Sequence, residues 1–160
     1  MRSGRGFTLA GLLIVVAVMG AGLAAAGALW SHSAQREKEQ ELLFAGNQFR
    51  QAIAGYYQRS PGAKHYPPGL EDLLRDRRYP MPQRYLRKLY RDPMTGAAEW
   101  GLIPAPGGGV MGVHSLSEEE PIKTGGFAQR DRALEGATRY SEWRFVFAPP
   151  DSPSGLGRGR

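Results

Sequence analysis

The sequence predicts an α+β chain: one long N-terminal helix, apolar in its first half and amphipathic in its second, packed on a small antiparallel sheet of about three strands. Three observations carry this. Leu9 to Trp30 is an uncharged apolar run. From Ser33 to Arg59 there is no proline, and Leu42, Ala45, Phe49, Ala52, Ile53 and Tyr56 recur at three- and four-residue spacing, the signature of one buried helix face. After Ser60 the chain becomes rich in proline and glycine and offers only short strand candidates.

The apolar run comes first. Its roughly 22 residues would extend ~33 Å as a helix, about the thickness of a bilayer core. Arg2 and Arg5 precede it and no charge interrupts it, so the run is expected to enter a membrane with its N-terminal end on the cytoplasmic side. Gly11, Gly20, Gly22 and Gly27, with the alanines among them, are small enough for close helix–helix approach, and equally ordinary in any anchor helix. Trp30 suits a membrane interface. Glu37, Lys38, Glu39, Gln40 and Glu41 are expected to cover the stretch just outside it. The helix is expected to continue along the amphipathic stripe and to end at Arg59-Ser60-Pro61-Gly62.

Residues 60–97 read as a long connection containing one short helix at Leu70-Glu71-Asp72-Leu73-Leu74. Pro80 and Pro82 stop it, and Asp92-Pro93-Met94-Thr95-Gly96 forms a turn. Strands are expected at Glu99–Ile103, Val110–Ser115 and Tyr140–Phe147. In the last, Trp143, Phe145 and Phe147 alternate with Glu142, Arg144 and Val146, giving one aromatic face to receive the Leu42/Phe49/Ile53 stripe. Residues 149–160 read as a disordered tail.

Composition narrows the chemistry. The chain has 160 residues, a net charge of +6 and no cysteine, which excludes a thiolate metal site, a cysteine nucleophile and a lipoprotein lipobox. His32, His65 and His114 are isolated, without metal-ligand spacing. Pro106-Gly107-Gly108-Gly109 joins strands, opens no helix and lacks a following lysine, so it reads as a hairpin connection and not a phosphate loop. No constellation of catalytic residues is evident, and a non-enzymatic chain is expected. Two charged segments stand out. Arg75, Arg77, Arg78, Arg84, Arg87, Lys88 and Arg91, interleaved with Tyr79, Tyr85 and Tyr90, form a candidate surface for an anion or a partner. A solvated loop or a protein interface is the favoured reading, and nucleic acid is not. Glu118-Glu119-Glu120 is the strongest acidic cluster; three consecutive carboxylates point in different directions, so a solvated loop is favoured over a calcium site there. No cofactor is expected.

The N-terminus admits three readings. A basic start, an apolar centre and the small residues Ala24-Ala25-Ala26 or Ala26-Gly27-Ala28 fit an ordinary secretory signal peptide. A simple signal anchor fits as well. The third reading rests on Arg5-Gly6-Phe7-Thr8-Leu9 followed by Leu12-Leu13-Ile14-Val15-Val16. This segment resembles the class III leader of type IV pilins and type II secretion pseudopilins, in which a short basic leader ends in Gly before Phe-Thr-Leu and a long apolar helix. The resemblance covers residues 1 to about 115 and includes the Asp92-Pro93 turn leading into the first strand.

What the resemblance implies is specific. A prepilin peptidase cuts after Gly6 and methylates the Phe7 amine. Residues 1–6 are the leader, 7–30 the membrane and filament-packing helix, with Leu9, Gly11, Leu12, Leu13 and Val16 on its packing stripe, and 31–148 a pilin-like periplasmic domain. The chain would be a single-pass protein of the bacterial inner membrane. Its partners would be other pseudopilins, the peptidase and an inner-membrane assembly platform. The expected function is that of a structural subunit of a type II secretion pseudopilus; the alternative is a minor type IV pilin acting in DNA uptake or adhesion through its basic loop. One departure matters. The family usually carries Glu at the fifth mature position, which here is Gly11, and the first acidic residue after Phe7 is Glu37. Some minor pseudopilins, notably the one at the tip, also lack this Glu, so the resemblance points to a minor subunit.

Overall fold

The computed structural model describes residues 5–150, and their side chains except at 5–10 and 20–32. The chain divides into two units, Met1–Glu37 and Lys38–Arg160, and each is described by itself. A helix, α1 (Arg5–Gln58), supplies the described part of the first unit and the opening of the second. In the first unit the large side chains of Leu12, Leu13, Ile14, Val16, Val18 and Met19 are all exposed, and a Cβ on Gly11 would meet no atom within 4 Å. Among the described residues no helix is long and apolar enough to cross a membrane. The expected span, Leu9–Trp30, falls mainly on positions whose side chains lie outside the described residues, as do the expected leader and most of the expected tail.

The second unit is an α+β domain. Three strands, β1 (Gly101–Pro104), β2 (Val110–His114) and β3 (Arg144–Val146), form an antiparallel sheet in the order β1-β2-β3. Leu102 faces Val113 across the first pair, and Val113 faces Phe145 across the second. The β1–β2 connection closes as a hairpin, with Ala105 N–H donating to Gly109 O at 2.9 Å and Gly108 and Gly109 at positive φ (88° and 83°). Glycine is what this turn requires, because an L-residue with a Cβ is strained at those angles. The Gly-rich segment is thus the strand connection expected.

All six residues of the helical stripe are buried and meet Trp100, Val113, Trp143 and Phe145 in a single core. Aromatic rings do much of the packing: Phe49 lies edge-to-face on Trp100 at 5.1 Å and Tyr140 on Trp143 at 5.3 Å. The helix passes so close to β3 that a Cβ on Gly46 would overlap the Phe145 ring.

Three boundaries differ from expectation, each because a side chain takes the backbone elsewhere. The third strand is only three residues long; Tyr140–Glu142 is a 3-10 turn instead. There the Tyr140 hydroxyl reaches Glu39 and the Tyr140 N–H donates to Glu119 O. Strand β1 begins at Gly101, not Glu99, where the Trp100 ring turns inward and its Nε1 donates to Tyr90 O at 2.8 Å. The second strand stops at His114, because the Ser115 hydroxyl turns in to donate to Asp92 Oδ2 at 2.7 Å. The expected short helix at Leu70 is a 3-10 turn, Leu70–Leu73, and a further one, Gln129–Leu134, was not foreseen.

Candidate functional site

The basic segment is built on a small closed loop. Asp76 pairs with Gln83 as an isolated antiparallel bridge, with Asp76 N–H donating to Gln83 O at 2.9 Å. The Tyr85 and Leu86 N–H groups both donate to Leu73 O. Pro80 and Pro82 lie in the turn so formed, where the absence of an N–H donor leaves nothing unmet.

Within this loop the seven candidate cations separate into two kinds. Arg78 is an internal anchor. Its Nε and Nη2 donate to the two oxygens of Asp76 at 2.9 and 2.7 Å, its Nη1 to Ser60 Oγ at 2.6 Å, and its Nη2 also to Tyr56 O at 3.1 Å. The guanidinium lies 3.6 Å from the Tyr56 ring centre. It therefore joins the end of α1 to the loop, and it is the member of the set that an external anion reaches least. Arg75, Arg77, Arg84, Arg87, Lys88 and Arg91 are exposed. Across the same stretch the two carboxylates, Asp76 and Asp92, are buried at 1% and 0% exposure.

The interleaved tyrosines are engaged inside the domain. Tyr79 donates to Arg59 O. Tyr85 packs edge-on against Tyr56 at 5.7 Å and donates to Asp76. Tyr90 sits between Phe44 and Phe49 at 5.7 and 6.1 Å. Beside the loop lies a cavity of about 410 Å³ whose walls include Tyr56, Tyr66, His65, Asp72 and Arg77.

Asp76 is the carboxylate that the loop holds through Arg78. The Arg78 guanidinium beside it holds its carboxyl below the usual carboxylate range, outweighing its burial. A carboxyl with a lowered folded-state pKa contributes stability that is complete above its unfolded value and is lost as pH falls through the folded one. The domain is thus expected to lose stability as pH drops below ~4. Asp76→Asn should lower stability at neutral pH and flatten that part of the acid limb, as read by urea denaturation at a series of pH values.

The acidic cluster has a different fate. Glu118 pairs with Arg139 at 2.6 Å on the surface, and this hydrogen bond holds the Glu118 carboxyl below its ordinary value. Glu119 and Glu120 are exposed. Among the described residues no group of three or more His, Asp or Glu is placed to hold a metal ion. His65 is exposed beside the cavity. His114 turns back over Gly101 and contacts Ser115 O through Nδ1, and the His32 side chain lies outside the described residues.

Three further buried carboxylates, whose hydrogen bonding the sequence did not reveal, all fasten segments together. Glu39, expected only as part of the charged stretch just outside the membrane, is 3% exposed; its Oε1 accepts from the Ile122 and Lys123 N–H groups at 2.7 and 3.0 Å and from the Tyr140 hydroxyl at 2.9 Å. Asp92 accepts from Met94 N–H, Ser115 Oγ and Leu116 N–H. Asp131 accepts from Arg50 at 2.8 Å and from Asn47 at 3.2 Å. Each carboxylate meets several donors, the condition under which a buried charge is tolerated.

Of the other candidate residues, Gly11, Leu12, Leu13 and Val16 stand exposed on α1, while Gly6, Phe7 and Leu9 belong to the positions whose side chains lie outside the described residues. Compared with models of known protein families, with curated proteins and with solved structures, the chain finds no match in any of the three.

Proposed function

We propose that this chain is a minor structural subunit of a type II secretion pseudopilus, made as a precursor with a class III leader and held in the bacterial inner membrane before assembly. The observation that carries the reading is the Gly6–Phe7 junction, set between Arg2/Arg5 and an uncharged apolar run that begins within three residues of it. A cut there leaves the whole run on the mature protein, where it can anchor and later pack. An ordinary signal peptide would be removed together with its apolar centre.

Two further features support it. The second part of α1 contributes its apolar stripe to the core of an α+β domain with a three-stranded antiparallel sheet. The lack of a carboxylate at Gly11 removes the means by which a neighbour's N-terminal ammonium would be neutralised in an apolar bundle, where an unpaired charge is expensive. A subunit so built fits a position where that pairing is not needed, which is why the minor role is preferred. The action is mechanical: a peptidase exposes the Phe7 amine, the assembly platform draws the subunit from the bilayer, and the apolar stripe packs against other pseudopilins.

Gly6→Leu tests the junction. The wild-type chain is expected to lose residues 1–6 when co-expressed with a prepilin peptidase, and the variant to keep them, as read by intact mass. Equal processing of the two would contradict the proposal.

A further inference from the structure

The cavity beside the basic loop is lined by groups that the fold does not use. Asp76 and Arg78, both in its wall, neutralise each other at 2.7 Å. Asp72 and Arg77, in the same wall, have no such partner: among the described residues neither side chain enters a hydrogen bond or an ion pair. Asp72 is half-buried and Arg77 exposed. Tyr56 is a second, independent observation. It is 4% exposed, with its ring over the Arg78 guanidinium and edge-on to Tyr85, yet its hydroxyl takes part in no hydrogen bond among the described residues. Burial, and beyond it Asp76 and Asp72, push the pKa of that hydroxyl up against the pull of Arg78, so the Asp72 carboxylate stands within electrostatic range of it. The rest of the wall includes Tyr66 and Pro68. The Tyr66 hydroxyl is spent on Phe147 O at 3.2 Å, so its ring is what it offers a ligand.

We infer that this cavity binds a small aromatic zwitterion of the amino-acid class, its ammonium held by Asp72 and the Tyr56 hydroxyl and its carboxylate by Arg77. The volume, about 410 Å³, lies in the ~300–1,000 Å³ range of small-molecule sites. The sign of the ligand follows from the two charges left over. A simple anion would meet Arg77 but bring a like charge to Asp72, and a simple cation would do the reverse at Arg77; a ligand carrying both charges meets neither penalty. The ammonium supplies donors to two acceptors, a carboxylate and a hydroxyl, that the protein itself leaves unmet. The guanidinium matches a carboxylate with two parallel donors. The Tyr66 ring and Pro68 favour an aromatic side group over a polar one, since contact with them removes apolar surface from water. The inference goes beyond the filament reading and does not rest on it.

The test uses the full chain in a neutral detergent and titrates it, by saturation-transfer NMR, with phenylalanine and two truncated probes: 3-phenylpropionate, which lacks the ammonium, and phenethylamine, which lacks the carboxylate. Phenylalanine should bind about tenfold tighter than either, a difference of ~1.4 kcal/mol. Each charge should then trace to its own residue. Asp72→Asn should bring phenylalanine down to the level of 3-phenylpropionate, and Arg77→Gln down to that of phenethylamine. Tyr56→Phe should weaken phenylalanine about threefold or more while leaving 3-phenylpropionate unchanged. None of these three changes removes a hydrogen bond within the domain, and matching thermal midpoints check that the variants fold. A tripeptide ending in phenylalanine, whose ammonium is two residues away, should bind no better than 3-phenylpropionate; tighter binding would make the ligand a chain end and overturn the assignment. So would the absence of phenylalanine binding at millimolar concentration, equal affinity for the three probes, or a preference for the zwitterion that survives Asp72→Asn or Arg77→Gln.

Discussion

Replacing Arg78 by alanine is expected to destabilise the domain by ~3–5 kcal/mol, the usual result of removing one partner from a buried ion pair. Asp76 is 1% exposed and takes hydrogen bonds from two nitrogens of the Arg78 side chain as well as from its backbone N–H. Without the guanidinium, Asp76 would keep only Tyr85 and that N–H, and Ser60 and the Tyr56 carbonyl would each lose a donor. Arg78→Lys should recover only part of the loss, because an ammonium cannot present the planar fork that spans both Asp76 oxygens. Arg87→Ala, by contrast, removes an exposed cation and should change stability by less than about 0.5 kcal/mol. Urea denaturation of the three variants separates the anchoring arginine from its surface neighbours. Similar losses for Arg78→Ala and Arg87→Ala would contradict the assignment.

The second large effect lies where α1 meets β3. Phe145 is fully buried and its ring occupies the space where a Gly46 side chain would be. Phe145→Ala should cost ~3–5 kcal/mol through lost burial and the cavity left behind. Gly46→Ala should cost ~1–3 kcal/mol by overpacking, although alanine is the better helix former by ~1 kcal/mol. The double variant is then expected to be more stable than Phe145→Ala alone, since a Cβ at position 46 enters space the ring has vacated while the helix gains alanine's propensity. Independent sites would instead give additive losses. Chemical denaturation of the four species reads the coupling directly, and additivity would show that the ring does not set the helix–sheet distance.

How much of this was legible in the sequence depended on periodicity. The helical stripe from Leu42 to Tyr56 was, at every position, because burial repeats with the turn of the helix. The aromatic alternation at Trp143 and Phe145 likewise located β3, although the strand proved shorter, since alternation reports which face is buried and not how long the pairing lasts. Glu39 shows where a signal existed unread. It stands three residues before Leu42, on the line of the stripe, so the helix places it in the core although its charged neighbours suggested solvent. The Asp76–Arg78 lock had no such signal. Arg78 is one of seven cations in a loop, where no period applies, and only the tertiary approach of Ser60 and Tyr56 singles it out. That the tyrosines of the basic segment are engaged rather than open is likewise a product of packing, through Tyr56, Phe44 and Phe49.

N-terminal sequencing of the protein extracted from the membranes of cells that carry a prepilin peptidase tests the central proposal most directly. A filament subunit should begin at Phe7 with a methylated amine, the whole run from Leu9 to Trp30 retained. A mature chain beginning near Gly27 or Leu29 would mean that the run is discarded as a signal peptide, and would contradict it.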